Sequence, residues 1–315
     1  MRAWWRLSPR WWPKPRGTAT HDSFTLEQVA DLHRIYYSSG PQAGGPWDPY
    51  RHAHMVLPAW FQHGLDPWSE AYAAQQERLW AAIVGTEQRY DPAQDERETG
   101  WGDIDAVRRP GFFNRRDPEA VRAAADQVLA AGMLLKHSGL QPGQRALEYG
   151  AGFAQGALLL ARLGVHVDTV DISQAFCQHV QAQADFFQVP LTPFHASFGD
   201  NPRPGERYDL VWFYESFHHC VDFLRVVPRL ADMLNPGGRV ILMGEPIVEA
   251  EYAAVPYPWG VRLHSEVAAV MRQTRWFELG FSEAFVFELF RRAGFSGQRV
   301  ECEPSLFGRL WIFQR

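Results

Sequence analysis

Lysine is nearly missing from this sequence. Lys14 and Lys136 are the two present, and arginine supplies the rest of the positive charge. The formal net charge is −5 at pH 7, which gives no global electrostatic case for nucleic acid as a partner. Cysteine is scarce as well. Cys177, Cys220 and Cys302 are odd in number and far apart. They fit neither a disulfide framework nor a zinc spacing, which suits a reducing compartment; a cytoplasmic protein is expected. Long apolar runs are missing too, since none approaches the roughly 18 residues that a membrane helix needs. The N-terminal stretch Met1–Arg16 is basic and tryptophan-rich but lacks the apolar segment of a signal peptide. It reads as a tail or an arm packed on its own protein, with contact to a membrane surface or a partner as the alternative. His52, His54 and His63 have no Cys or carboxylate cluster beside them, so no metal site is expected.

What is present is ample apolar material: 46% of 315 residues, enough for one large domain with substantial additions. Residues 1–116 are rich in Trp, Tyr, His and Pro. Helices are expected there over Thr25–Tyr37, with Thr25 as N-cap, and over Ser69–Val84, capped by Ser69. With no obvious core of its own, this N-terminal helical and aromatic extension is expected to pack over the domain that follows. That domain runs over 117–315, interrupted by an aromatic insertion at about 246–281. Asp117-Pro118 reads as an N-cap with proline at the first helical position. Strands are then expected at about 145–148, 166–171, 191–197, 208–213 and 239–243, separated by helices at about 154–163, 173–188 and 218–234. A helix Glu283–Ala293 and a hairpin of Gln298–Cys302 with Arg309–Phe313 close the chain. Strands alternating with helices imply an α/β, mainly parallel sheet covered on both faces.

The most informative stretch is Arg145-Ala-Leu-Glu-Tyr-Gly-Ala-Gly-Phe-Ala-Gln-Gly156. An apolar strand ends in Glu148, and Gly150 and Gly152 permit a tight turn and a close backbone approach. Gly156 allows close helix–strand packing. A second strand, His166-Val-Asp-Thr-Val-Asp171, ends in its own carboxylate, placed to accept ribose hydroxyls. Strand, glycine loop, helix, strand and acid form a nucleotide-binding βαβ unit. A carboxylate ahead of the glycines repels the pyrophosphate of a dinucleotide. It suits the ammonium and sulfonium groups of S-adenosylmethionine.

Four motifs in order, Leu147-Glu-Tyr-Gly-Ala-Gly152, Val170-Asp-Ile-Ser173, Tyr208-Asp-Leu-Val211 and Leu234-Asn-Pro-Gly-Gly-Arg-Val240, resemble those of the class I S-adenosylmethionine-dependent methyltransferases. The resemblance covers about 117–315. It implies a Rossmann-like seven-stranded sheet, mostly parallel with an antiparallel last strand, and S-adenosylmethionine as cofactor. Carried over onto this sequence, the glycine loop with Glu148, Gly150, Ala151 and Gly152 holds the methionine part, and Asp171 with Ile172 holds the ribose. Family members often carry an acid after the third strand that reaches the adenine. Here that position falls on His195-Ala-Ser-Phe198, with Asp200 slightly late, so Ser197, Phe198 or a backbone group become the candidates. Tyr214, leaving the fourth strand, joins the cofactor set.

Methyl transfer from a sulfonium chiefly requires alignment of the acceptor, and a hydroxyl acceptor also benefits from a base. The richest polar cluster is Tyr214-Glu-Ser-Phe-His-His-Cys220. His218 and His219 are the candidate bases, His219 preferred, and Glu245 in Gly244-Glu-Pro246 is placed to orient a histidine or bind an acceptor hydroxyl. Glu215, Arg262 and His264 are the candidate acceptor contacts, the last two within Tyr257-Pro-Trp-Gly-Val-Arg-Leu-His264, where this family places its acceptor cover. Arg108–Arg116 is a further basic segment that could close over the cofactor or bind an anionic acceptor. The expected activity is methyl transfer to a small or carbohydrate-like acceptor at oxygen. Its rivals are N- or C-methylation in a natural-product pathway and a non-catalytic S-adenosylmethionine-binding scaffold. Oligomeric state has no signature in the sequence.

Overall fold

Seven β-prone runs pair into one twisted sheet in the computed structural model, which describes residues 21–40, 44–96, 105, 107–114, 116, 119–250 and 252–315. The strands are β1 (Arg145–Tyr149), β2 (His166–Asp171), β3 (Leu191–His195), β4 (Tyr208–Tyr214), β5 (Leu234–Met243), β6 (Ser296–Val300) and β7 (Leu310–Gln314). Their spatial order is β3-β2-β1-β4-β5-β7-β6. All neighbours pair in parallel except β7, which is antiparallel to both β5 and β6. Parallel neighbours need crossover connections. These are α2 (Gln155–Arg162), α3 (Gln174–Phe187) and α4 (Phe223–Met233), preceded by α1 (Ala120–His137). Ala146 and Leu147 point to opposite faces of β1, and both are 0% exposed. The central strands are thus buried on both sides, as parallel strands require.

Local chemistry sets several boundaries. Ser173 caps α3 by accepting the Phe176 amide at 3.2 Å, and Ser69 caps Glu70–Val84 by accepting the Tyr72 amide at 3.2 Å. Asp117-Pro118 lies outside the described residues, as does the arm Met1–Arg16. Two expectations shift. Asn235-Pro-Gly-Gly238 does not precede the fifth strand as a free turn. It lies within β5 as a bulge, where the pairing jumps from Tyr208–Leu234 to Leu210–Arg239. The helix expected from 218 begins only at Phe223, after a separate 3₁₀ turn over Phe217–His219.

The chain divides into two compact units. Among the described residues, the sheet unit comprises 105–245 with Phe287–Arg315, and the second unit comprises 21–96 with Pro246–Val286. The N-terminal segment and the insertion therefore fold with each other, whereas the sequence suggested that the first lacks a core of its own. The described part of this second unit has one. Trp47, Trp80 and Trp259 are each less than 2% exposed. Side chains tie the two segments: Tyr36 Oη donates to Glu266 Oε1 at 2.7 Å, and Tyr72 Oη donates to the Trp259 carbonyl at 2.7 Å. Trp80 Nε1 donates to the Arg275 carbonyl at 3.0 Å. Among the described residues, no helix is long and apolar enough to cross a membrane.

Candidate cofactor and active site

The glycine loop joins β1 to α2 at the carboxyl end of the sheet, the edge where open α/β sheets bind ligands. Gly150 has φ +65° and Gly152 φ +52°, conformations that favour glycine. A Cβ on Gly150 would lie 2.5 Å from Ser216 Cβ, so the loop cannot carry a side chain there. Ala151 sits between them, partly buried. Asp171 ends β2, and its two oxygens accept the Gly152 amide at 2.9 Å and the Ser173 amide at 2.8 Å. Burial raises its carboxyl above the usual range, and those two amides oppose the rise. Ile172 follows, its carbonyl 2.9 Å from His195 Nε2.

Glu148, read from the sequence as an anion, is buried. It is 2% exposed, on the sheet face beside Gly156. Its Oε1 accepts the Trp212 indole N–H at 2.9 Å, and its Oε2 is buried without a hydrogen-bond partner among the described residues. Burial pushes the carboxyl up to about 8, so it is largely protonated at neutral pH.

Beyond β3, Ser197 is exposed and its amide donates to Asp200 Oδ2 at 3.0 Å. Asp200, slightly late in sequence, is thereby engaged in closing this turn. Phe198 packs edge-on to Tyr149 at 6.1 Å between ring centroids and lies 5.8 Å from Phe213. Tyr214 ends β4, its phenol raised well above the usual value by burial and by neighbouring Glu215. Gln127 of α1, a residue the sequence did not single out, is buried and donates from Nε2 to Glu215 Oε2 at 3.4 Å.

The histidine rim is organised by Glu245. Glu215 adopts φ +50°, which turns the chain so that three successive amides face one carboxylate. Ser216 and Phe217 donate to Glu245 Oε1 at 2.8 and 2.9 Å, and His218 donates to Oε2 at 3.1 Å. His218 Nδ1 lies 2.7 Å from the same Oε2. The histidine held by Glu245 is therefore His218, not the preferred His219, whose ring lies against it at 4.3 Å. Burial pushes Glu245 up to about 7, opposed by the three amides. Such a carboxylate fixes an imidazole's orientation and, when ionised, places the proton on Nδ1.

Arg262 and His264 belong to the other unit and are engaged within it. Arg262 forms an ion pair with Glu278, both buried, so its charge is already balanced and it is not an exposed acceptor contact. His264 Nε2 lies 3.1 Å from Tyr252 Oη, and burial with the nearby Arg262 charge lowers its pKa to about 3. It is neutral across the physiological range. In the basic segment, Arg108 pairs with Asp105 at 3.6 Å and Arg116 donates to the Phe113 carbonyl at 2.9 Å; Arg115 lies outside the described residues.

On this Rossmann-like sheet, the match of the strand-and-loop core to a methyltransferase-domain family model supports a class I, S-adenosylmethionine-dependent methyltransferase domain with S-adenosylmethionine as its cofactor. Residues 147–242 match the family model described as a methyltransferase domain. The chain is 30% identical over 151 residues to the 27-O-demethylrifamycin SV methyltransferase of Amycolatopsis mediterranei (strain S699), covering 47% of this chain and 51% of that protein. It is 31% identical over 105 residues to the glycine/sarcosine/dimethylglycine N-methyltransferase of Actinopolyspora halophila, covering 32% of this chain and 19% of that protein. The chain thus spans about half the length of the first of these relatives and less of the second. Among solved structures, geranyl diphosphate C-methyltransferase from Streptomyces coelicolor A3(2) aligns with a TM-score of 0.49 at 14% identity, over 79% of this chain and 99% of that one.

Proposed function

We propose that the whole chain is a methyltransferase acting at a hydroxyl of a small or carbohydrate-like acceptor. The observation that carries the oxygen reading is the 2.7 Å contact between His218 Nδ1 and Glu245 Oε2. A carboxylate-held imidazole is the device a hydroxyl acceptor needs. The likeness to a 27-O-demethylrifamycin SV methyltransferase is in keeping with it.

The residues of the sheet unit fit the cofactor. Glu148 Oε2 is buried and unpartnered among the described residues, the glycine loop tolerates no side chain at 150, and each Asp171 oxygen retains a lone pair after accepting one amide. In this reading Asp171 holds the ribose with Ile172 alongside, Gly150, Ala151 and Gly152 line the methionine part, and Glu148 with Tyr214 supplies anionic and polar contacts to it. Ser197 and Phe198 lie toward the adenine. When bound, S-adenosylmethionine supplies a methyl group already activated on a sulfonium. In this reading His218 Nε2 takes the proton of the acceptor hydroxyl that receives the methyl group. Glu245 holds Nδ1–H throughout and balances the imidazolium. Glu215, pinned by Gln127, is placed to contact the acceptor.

Separate variants test this. Under the proposal, His218→Ala and Glu245→Gln lose turnover while retaining S-adenosylmethionine binding, and product analysis finds the methyl on oxygen. Turnover surviving in both variants would defeat the base assignment. A methylated nitrogen or carbon would move the chain to the rival acceptor classes.

A further inference from the structure

Glu148 on β1 and Trp212 on β4 are register partners in the parallel sheet, so their side chains lie side by side on one face. Each solves a problem for the other. A buried indole needs an acceptor for its N–H, and a buried carboxyl needs a donor. The Trp212 Nε1–Glu148 Oε1 bond of 2.9 Å meets both needs, with Trp212 at 0% and Glu148 at 2% exposure. Gly156 lies over the bond: a Cβ there would be 3.9 Å from both Glu148 Oε1 and Trp212 Nε1, ordinary contact distance, and 2.9 Å from Leu134 Cδ2, so α2 packs directly on the pair. The second carboxyl oxygen is left buried with no partner among the described residues, a costly condition unless a ligand completes it.

We propose that Trp212 is a positioning residue of the cofactor site. Its indole fixes one oxygen of Glu148 and thereby presents the other to the cationic end of S-adenosylmethionine, whose docking displaces a proton from the carboxyl. The inference rests on the reading that Glu148 serves the cofactor. Burial pushes Glu148 up to about 8, and the Trp212 N–H and the first-turn amide of Ala157 favour its charged form. Asp171 adds a further negative charge nearby. A cation arriving at neutral pH therefore ionises Glu148, and the proton leaves to the buffer. No proton passes to the cofactor.

Calorimetric titration of the full chain with S-adenosylmethionine and S-adenosylhomocysteine, in buffers of different ionisation heat, counts that proton. The wild type releases about one proton at pH 7. Trp212→Phe keeps the ring but removes the donor. It binds about tenfold more weakly, the loss expected for a hydrogen bond to a charged group, and its affinity rises with pH at a higher midpoint. Glu148→Gln binds more weakly and releases no proton, and adding Trp212→Phe to it costs nothing further. Wild-type affinity and proton count in Trp212→Phe would overturn the positioning role. So would the full Trp212→Phe loss persisting in the Glu148→Gln background, which also covers a general packing defect. Wild-type binding by Glu148→Gln would instead remove the reading of Glu148 on which the inference rests.

Discussion

Glu245 makes four hydrogen bonds with one turn, accepting the amides of 216, 217 and 218 and sharing a hydrogen bond with His218 Nδ1. Those contacts single out His218, where the sequence alone favours His219. On the proposed reading, His218→Ala lowers kcat by about 10²- to 10⁴-fold, the usual worth of a general base, and His219→Ala costs less; steady-state kinetics on the two variants separates them. The pH dependence follows from Glu245, which burial raises to about 7. Below that value the protonated carboxyl donates to Nδ1 and Nε2 keeps its own proton, so it cannot act as base. Turnover therefore rises as pH climbs through about 7, and the residual turnover of Glu245→Gln lacks that limb. Glu148 makes a separate prediction for stability. Its folded pKa of about 8 is raised above the unfolded value, so the stability it contributes is complete below the unfolded carboxyl pKa and is lost as pH rises through about 8. Glu148→Gln should match wild type in thermal unfolding near pH 5 and exceed it near pH 9.

At the scale of elements, the sheet is the part most legible in the sequence. Alternating apolar runs and helix caps locate strands and helices because burial on both faces demands continuous Val, Leu and Phe, and β2 falls on His166–Asp171 as its pattern predicts. What escapes is register. Trp212 stands in plain view within Tyr208–Tyr214, but only the pairing of β1 with β4 shows that it sits beside Glu148. The strand pattern likewise says nothing of the left-handed turn at Glu215, whose following amides are accepted by Glu245, a residue just past a different strand. Gly150 gives an element-scale prediction. Gly150→Ala adds a Cβ 2.5 Å from Ser216 Cβ at φ +65°, destabilising the loop by about 1 kcal/mol or more through backbone strain alone. Calorimetry should find cofactor binding lost, while the circular dichroism of the rest of the sheet persists.

At the scale of the whole molecule, the division into two units is what the sequence conceals. The described residues of 21–96 and residues 246–286 share a core, and no local pattern announces that two segments so far apart fold together. Arg262 illustrates the cost of reading such a segment locally. An arginine among aromatics suggests an acceptor contact, but its buried pairing with Glu278 assigns it to the stability of its own unit. Arg262→Met should therefore destabilise the protein by about 3–5 kcal/mol by removing the ion-pair partner of a buried carboxylate. Arg262→Met with Glu278→Leu should recover much of that loss in denaturant unfolding, with the acceptor KM little changed.

The most direct test of the account is an equilibrium titration of the full chain with S-adenosylmethionine and, separately, with NAD. The account predicts saturable binding of S-adenosylmethionine, lost in Asp171→Ala, and no binding of NAD. Binding of NAD with none of S-adenosylmethionine would contradict it.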